Sequence, residues 1–497
     1  MSPLISGPTV CSPARWGLVV PPQSLFVLLA ILLLLTGCAP PVNRYLLIET
    51  SLRAHDPKGA DAIVQLAEQD YGEKSLALYG MDRGMTLQLA GNYQQSNALL
   101  EQAEDEVDRL YTRRMRTEVL AFLTNDTALP YEGDPYEQVL LNVLKALNYT
   151  RLGQWQEALV EARRIDHRLN VLSDRTKETN AYRDNGFARY LSGILYESTG
   201  DVNNAFIAYR NAYEIFESTS AWSRMAVPLQ LRVDLLRTAE ALHLTQELAL
   251  YQQAFPETKW ESSQAVQSLA QVVVISYNGR APRKEDQFLD LPISLDALQL
   301  VRFNRGASQS KQPSQQAADA FLYGLNGHMV RVALPRLVPQ KTQVPIDTVN
   351  LIPENGTSVT VKTELVQNVT ALAEKALSER MVGITVKALA RAAAKFALAE
   401  GVTREAKKAA GKDAGPLVGL LVGLITKGLA VASEEADKRS WQTLPDEIHL
   451  ARVWVPAGRY QVQSQPAGSY DPLSPEAMGT LSLKPGETTV LIQRVMP

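Results

Sequence analysis

Apolar and polar positions follow two different periods along this chain, and the change falls between residues 262 and 268. Over residues 42–255 the apolar side chains recur at three- and four-residue steps, the spacing of one helix face, and helix follows helix. At Gln271 the texture changes. Val272, Val273, Val274 and Ile275 form the continuous apolar run of a buried strand, ended by Asn278-Gly279 and Pro282. Further strands are predicted at Met329–Leu334, Val344–Leu351, Ile448–Val455, Tyr460–Ser464 and Thr488–Arg494, with turns at Asn355-Gly356, Pro456–Gly458 and Lys484–Glu487. Residues 308–317 read as a polar loop, and a long helical pattern runs from Glu364 to Ala410. The expected fold class is α+β: an all-α repeat array, then a β-rich domain with a long helical insertion, its tail a small antiparallel sandwich.

The first half repeats itself. Gly91-Asn-Tyr93-Gln-Gln-Ser96 recurs as Gly153-Gln-Trp155-Gln-Glu-Ala158 and as Gly200-Asp-Val202-Asn-Asn-Ala205. Small residues (Gly84, Ala146, Gly193) and apolar or aromatic ones (Leu87, Tyr149, Tyr196) precede each glycine at fixed distances. The pattern resembles the tetratricopeptide repeat (TPR), a helix–turn–helix unit of about 34 residues. Small residues let paired helices approach, and the glycine permits the tight turn between them. Inserts, among them the turn-rich Thr124–Pro135, stretch the spacing, and a degenerate fourth unit is predicted over Pro228–Ala254. Stacked units leave a concave groove. The positions expected to line it are Met81, Met85, Gln88, Val143, Leu147, Arg151, Tyr190, Ile194 and Glu197. These either contact a protein or peptide partner or form ordinary core beneath another part of the chain, such as the 364–432 helices.

The N-terminus adds an address. Residues 24–35 are an uncharged apolar run, too short to span a bilayer comfortably but suited to a signal peptide. The run ends in Leu35-Thr36-Gly37-Cys38, the pattern of a bacterial lipobox, which predicts cleavage before Cys38 and transfer of diacylglycerol to its thiol, with palmitate among the expected acyl chains. With Ala39 next, the expected location is the outer membrane, lipid-anchored and facing the periplasm.

Within the helical insertion Lys387, Arg391 and Lys395 fall on one face, which reads as solvated or, alternatively, as membrane-surface binding. Gly415, Gly419 and Gly423 recur every fourth residue in the apolar segment 415–432. Such a ridge packs closely on another helix, meets a partner, or inserts into a membrane.

Composition narrows the chemistry. Fifty Lys and Arg nearly balance 53 Asp and Glu, which argues against a phosphate-reading protein. Two Cys and five His exclude disulfide frameworks and Cys-rich zinc sites. The stretch Glu405–Asp413 imitates the end of a P-loop but lacks its first glycine and its Ser or Thr. His55, His167, His243, His328 and His449 show no metal-ligand spacing, and no catalytic motif is present. Arg113, Arg114, Arg116, Arg163, Arg164 and Arg168 read as an ion-paired surface.

Two segments, Tyr131–Leu169 and Glu434–Val462, resemble a family of bacterial TPR outer-membrane lipoproteins with the order lipobox, helical repeats and C-terminal domain. Asp437, Arg439, Trp441, Leu444 and Pro445 match that family's motif. In some bacteria its members look to be encoded near lipoproteins that activate peptidoglycan synthases, which implies a role in cell-wall synthesis or envelope assembly. The expected divisions are a signal peptide (1–37), lipidated Cys and tether (38–58), TPR-like domain (59–262), β-rich segment (268–362), helical insertion (363–436) and an antiparallel β segment (437–497) packing with 268–362. The expected function is a non-enzymatic periplasmic scaffold or regulator with a protein partner, no nucleic acid, no metal and no cofactor beyond the lipid on Cys38. A membrane-active or self-assembling protein using 415–432 is the alternative, and a hydrolase a remote one.

Overall fold

Among the described residues, five helix pairs share one kind of turn. The computed structural model describes residues 43–117, 129–175, 185–299, 326–327, 329–344, 346–409, 435–467 and 476–496. The pairs are α1 (Arg44–Arg53) with α2 (Pro57–Leu66), α3 (Leu76–Leu89) with α4 (Tyr93–Thr117), α5 (Pro135–Arg151) with α6 (Trp155–Arg175), α7 (Gly186–Ser198) with α8 (Val202–Ser223), and α9 (Leu229–Ala241) with α10 (Thr245–Ala254). In the second pair Gly91 N donates to Gln88 O (3.0 Å) and Asn92 N to Leu87 O (2.9 Å), with Gly91 at φ +80°. Gly153 and Gly200 close the next two turns by the same bonds. Close approach then depends on the small residues: a Cβ on Gly193 would lie 2.3 Å from the Tyr209 ring.

The fourth predicted unit is present, and so is an unpredicted one at the start, where 38–58 reads as a tether. Both depart from the repeat pattern in the same way. His243 (φ +56°) and His55 (φ +55°) occupy the position that glycine holds elsewhere. Their turns are otherwise the same: His243 N donates to Glu240 O and Leu244 N to Ala239 O, both at 3.0 Å, and His55 N donates to Leu52 O at 3.1 Å.

The strands form three sheets. The first has the order β10 (Thr488–Val495), β1 (Ala270–Asn278), β7 (Glu447–Val455), β6 (Glu364–Asn368). A two-stranded ribbon pairs β2 (Arg283–Pro292) with β3 (Met329–Val338). The third sheet runs β5 (Val359–Lys362), β4 (Ile346–Pro353), β8 (Gly458–Ala467), β9 (Glu476–Leu483). The tail thus pairs with the 268–362 strands, but not as a purely antiparallel unit: β10 lies parallel to β1, with Val273 opposite Val490. Residues 364–368, read as the start of a helix, are instead the edge strand β6, and the helix α11 spans Val369–Ala409.

β1 is buried on both faces, which explains its unbroken apolar run. Val273, Ile275 and Tyr277 face the helices together with Ile448, Leu450 and Val490. Val272 and Val274 face the third sheet together with Val349, Leu351 and Val462. Helices, first sheet and third sheet therefore stack as three layers, and Tyr45–Pro497 is one compact unit. Val369, Leu372, Ala373 and Ala376 of α11 join the core beneath the helices, while Ala388 to Ala393 pack on the β2–β3 ribbon. Arg391 is accordingly buried, so Lys387 and Arg391 do not share a solvated stripe, and the Lys395 side chain lies outside the described residues. Among the described residues no helix is long and apolar enough to cross a membrane.

Relieving the left-handed backbone at the two histidine turns should stabilise the chain. His243→Gly and His55→Gly are each expected to add about 0.5–1 kcal/mol, after the extra unfolded-state entropy of glycine is subtracted. The urea midpoint should rise with an unchanged slope, whereas a fall in midpoint would mean that the imidazoles make contacts outweighing the strain.

Candidate functional site: the closed concave face

The first helices of successive pairs, α3, α5, α7 and α9, turn one side toward the first sheet. All nine positions expected to line a groove lie along this side. Met81, Met85, Val143, Leu147, Tyr190 and Ile194 are fully buried in the core that contains β1, β7 and β10. Gln88 is buried, and its Oε1 accepts from the Tyr277 hydroxyl at 3.1 Å. Arg151 stacks over Tyr93 (5.4 Å) and donates to Val490 O at 2.6 Å. Glu197 accepts from Arg452 at 2.7 Å. The open groove expected from the repeat pattern is therefore absent from this structure at these residues. The chain's own sheet fills it, and α11 contributes only its first turns.

Two ionic clusters hold the sheet in place. At one, Arg452 projects from β7 into the helices with its side chain wholly buried. Its guanidinium meets Asp234 (2.7 Å), Glu197 (2.7 Å), the Tyr209 hydroxyl (2.9 Å) and Gln271 Oε1 (3.2 Å). Arg237 binds the same two carboxylates, Glu197 at 2.8 Å and Asp234 at 2.7 Å. Tyr190 donates to Asp234 at 2.8 Å and Tyr209 to Glu197 at 2.7 Å. The Trp454 ring receives both guanidinium groups, at 4.4 and 4.6 Å. Two acids against two bases leave the cluster neutral. Burial alone would raise the Glu197 carboxyl, but Arg452 and Arg237 outweigh it and hold it at about 2.

The second cluster lies where residues 435–446 cross α3 and α5. Glu137 reaches back to the amide that starts α5, accepting from Asp134 N at 2.7 Å, and also accepts from the Tyr131 hydroxyl (2.5 Å) and Trp441 N (2.8 Å). Burial, followed by the neighbouring Asp134 charge, pushes Glu137 up to about 7. Asp134 is driven the other way: burial opposes ionisation, but Arg380 (2.6 Å) and Lys284 (3.1 Å) pin it as the anion. The family-motif residues thereby acquire positions. Asp437 pairs with Arg439 at 2.7 Å in a stretch that is neither helix nor strand. Arg439 lies over the Tyr131 ring, and Trp441, fully buried, donates to Thr443, whose hydroxyl donates to Asp82 at 2.8 Å. Ala281 N donates to Leu444 O at 2.8 Å, tying the motif to the turn that follows β1.

The surface read as solvated arginines is in part an interior. Lys145 is wholly buried among Glu101, Glu104 (2.8 Å) and Glu161 (3.2 Å), and Arg164 and Arg168 complete the set. The side chains of Arg113, Arg114 and Arg116 lie outside the described residues, as do Cys38, Gly415, Gly419 and Gly423. Among the described residues no group of three or more His, Cys, Asp or Glu is arranged to hold a metal ion.

Sequence reasoning missed Asp234, Arg237, Arg452, Asp134 and Glu137. One signal was available. Arg452 stands on the face of β7 that also carries Ile448, Leu450 and Trp454, and a charge among apolar side chains requires a buried counter-charge.

No protein-family model and no curated protein matches the chain. Among solved structures, MamA matches at 14% identity over 42% of this chain and 93% of its own, with a TM-score of 0.27. TPR-like repeats of a Podosopora anserina kinesin light chain match at 15% identity over 44% and 96%, with a TM-score of 0.27. PilW, a type IV pilus biogenesis factor, matches at 16% identity over 44% and 94%, with a TM-score of 0.22. At such TM-scores the likeness carries no argument, and the TPR-like description rests on the chain's own five helix pairs.

Removing Arg452 strands Asp234 and Glu197 beneath the sheet. Arg452→Met should cost about 3–5 kcal/mol in urea unfolding, and Arg452→Lys should restore little, because an ammonium cannot serve both carboxylates and the indole. Glu197 and Glu137 also respond oppositely to pH. Stability from Glu197 is complete above its ordinary value of 4.5 and is lost as pH falls toward 2. Glu137, whose native value of about 7 exceeds the ordinary 4.5, favours the native state at low pH and loses that advantage as pH rises through 7. The urea midpoint should therefore decline between about pH 5 and about pH 7, and Glu137→Gln should flatten that decline. Identical slopes in both proteins would remove Glu137 from the account.

Proposed function

We propose that this protein is a non-enzymatic, lipid-anchored scaffold of the bacterial cell envelope, held at the outer membrane through Cys38 with its body in the periplasm. The lipobox supports the anchor and the location. The scaffold reading is carried by one observation: the concave face is closed by the chain's own sheet through buried, charge-neutral contacts around Arg452. A groove kept for a peptide would expose its lining. Here that lining is core, and the sheet above it is itself covered by a second sheet, so opening would uncover two apolar faces at once. The helical pairs thus act as a rigid platform, and partner proteins meet its outer surfaces. The nine concave positions support this indirectly, by fixing the platform's shape. No cofactor other than the lipid and no metal enters this reading, and a role in cell-wall synthesis or envelope assembly is its natural setting.

Lipidation and capture are tested together. Radiolabelled palmitate should label the wild-type chain and not Cys38→Ser, which should move to the soluble periplasmic fraction. Affinity capture from gently solubilised envelopes should return the same partner proteins with wild type in replicate, and fewer with the unanchored form. Recovery of the chain alone would refute the scaffold; continued membrane retention of Cys38→Ser would refute the anchor.

A further inference from the structure

Helix α1 is apolar on two sides, and the rest of the fold covers one of them. Tyr45, Ile48 and Leu52 turn inward onto the core beneath the array. The Tyr45 hydroxyl donates to Asp82 on α3 at 2.8 Å. Arg280, just after β1, donates to Tyr45 O at 3.1 Å and pairs with Glu49 at 2.7 Å. With its inner side fixed in this way, α1 turns Leu46, Leu47, Thr50 and Ala54 outward, at the three- and four-residue spacing of one stripe. Leu46 is 56% exposed and Leu47 43%. Leu66, the last residue of α2, is 87% exposed. The Tyr71 hydroxyl donates to the same Asp82 oxygen as Tyr45, also at 2.8 Å, so the start of α1 and the segment after α2 converge on one point of α3.

A helix that is apolar all round is normally covered all round. The end helix of a stacked array that met only water would carry a polar outer side. The opposite end of this array does so: α10 exposes Gln246, Gln252 and Gln253, and Leu250 is its one exposed large apolar side chain. The two ends therefore differ, and the apolar one is the end that follows the lipobox.

Chain length decides what reaches it. Six peptide links lead from Cys38 to Arg44. At a maximum of about 3.6 Å per residue, a lipidated Cys38 stays within roughly 20 Å of the start of α1. A bilayer holding those acyl chains is always at that distance, and its high effective concentration lets a small apolar contact form without a diffusing partner. The contact also demands no directional bond. Arg53, at the far end of the stripe, is already paired with Glu49 at 2.9 Å.

We propose that the outer stripe of α1, centred on Leu46 and Leu47 with Leu66 beside it, docks on the lipid bilayer that holds the Cys38 acyl chains. The leucines settle at the boundary of headgroups and acyl chains. This rests on the lipid-anchor reading and adds an orientation to it: the array begins at the membrane surface instead of hanging from a free tether.

The test uses the full lipidated chain in vesicles of phosphatidylethanolamine and phosphatidylglycerol that contain a phospholipid with a doxyl quencher on its acyl chain. Cys11 leaves with the signal peptide and Cys38 carries the lipid, so an introduced cysteine is the one free thiol. Thr50→Cys on the stripe and Leu250→Cys on α10 are each labelled with nitrobenzoxadiazole. The Thr50 label should be quenched at least about threefold more than the Leu250 label, since an interfacial apolar face lies about 5–10 Å into the headgroup–acyl boundary. Leu46→Glu with Leu47→Glu should bring the Thr50 label to the Leu250 level while the chain stays on the vesicle at an unchanged urea midpoint. Leu66→Glu alone should lower its quenching in part. Omitting phosphatidylglycerol should change nothing, because burial of leucine needs no headgroup charge.

Equal quenching at the two labels, or indifference to all the leucine substitutions, would overturn the docking face and leave the anchor intact. Quenching that requires phosphatidylglycerol would replace the leucines by a charge contact. A Thr50 blue shift without lipid quenching would assign the stripe to another protein surface: a second copy if it grows with protein density on the vesicle, a partner if it appears only in native envelopes. A chain whose Cys38 carries no acyl group by mass spectrometry would refute the anchor and the docking face together.

Discussion

Everything in this structure depends on a guanidinium that cannot be left unpaired. Arg452 lies beneath the sheet with no exposed side-chain surface, and two carboxylates, a tyrosine and an indole surround it. Taking such a charge out of water costs several kcal/mol, so the cluster adds less to net stability than its contacts suggest. What it adds is register. In β7, side chains alternate between the helical face and the third sheet, and a one-residue slip would turn Arg452 toward Val349 and Leu351. No carboxylate of the Glu197–Asp234 pair would reach it there. The wrong register is excluded by an unpaired charge rather than by a poorer hydrophobic fit.

The same constraint makes helices and sheets interdependent. β1 presents one face to α3, α5, α7 and α9 and the other to the third sheet, and it is flanked by β7 and the parallel β10. Strands distant in sequence must therefore assemble before the concave side chains leave water. Contacts between residues 137 and 441, or 151 and 490, close very long loops. The helical pairs, held by local turns, can form early, whereas the sheet needs long-range pairing. Met81, Met85 and Tyr190 would remain exposed in a helical array lacking its sheet, a surface of the kind that drives aggregation.

This division also explains what could be read from the sequence. The turns at Gly91, Gly153 and Gly200 were legible because glycine marks a left-handed residue; the pair at His243 was legible only as a degenerate unit and the pair at His55 not at all, because the same backbone is held there without glycine. The inward direction of Met81, Leu147 and Tyr190 followed from helical periodicity. Their occupant did not, since periodicity shows that a face is apolar but not what covers it. Strands β1, β7 and β8 announced themselves by apolar content, while β2, with Lys284, Glu285 and Asp286, and the exposed β9 did not. Parallel pairing of β10 leaves no local signal, because it is decided by the path of the chain across the whole sheet. The motif Asp437–Pro445 was visible as a string, and its meaning emerged only when Trp441 N met Glu137.

Closing the concave face has a polar consequence that runs through the helices to the other side. Gln88 lies under Tyr277 and cannot be hydrated, so its amide must be satisfied by protein. Its two donor bonds go to Leu144 O and Asn148 Oδ1, which commits Asn148 to donate in turn to Ser96 and Asn97. Ser96 passes its own proton to Gly84 O at 2.6 Å, in the tight contact between α3 and α4. The path ends at Asn97, whose Nδ2 is buried without a partner. Sealing one face of the array with a sheet thus fixes the orientation of side-chain amides through α3, α5 and α4.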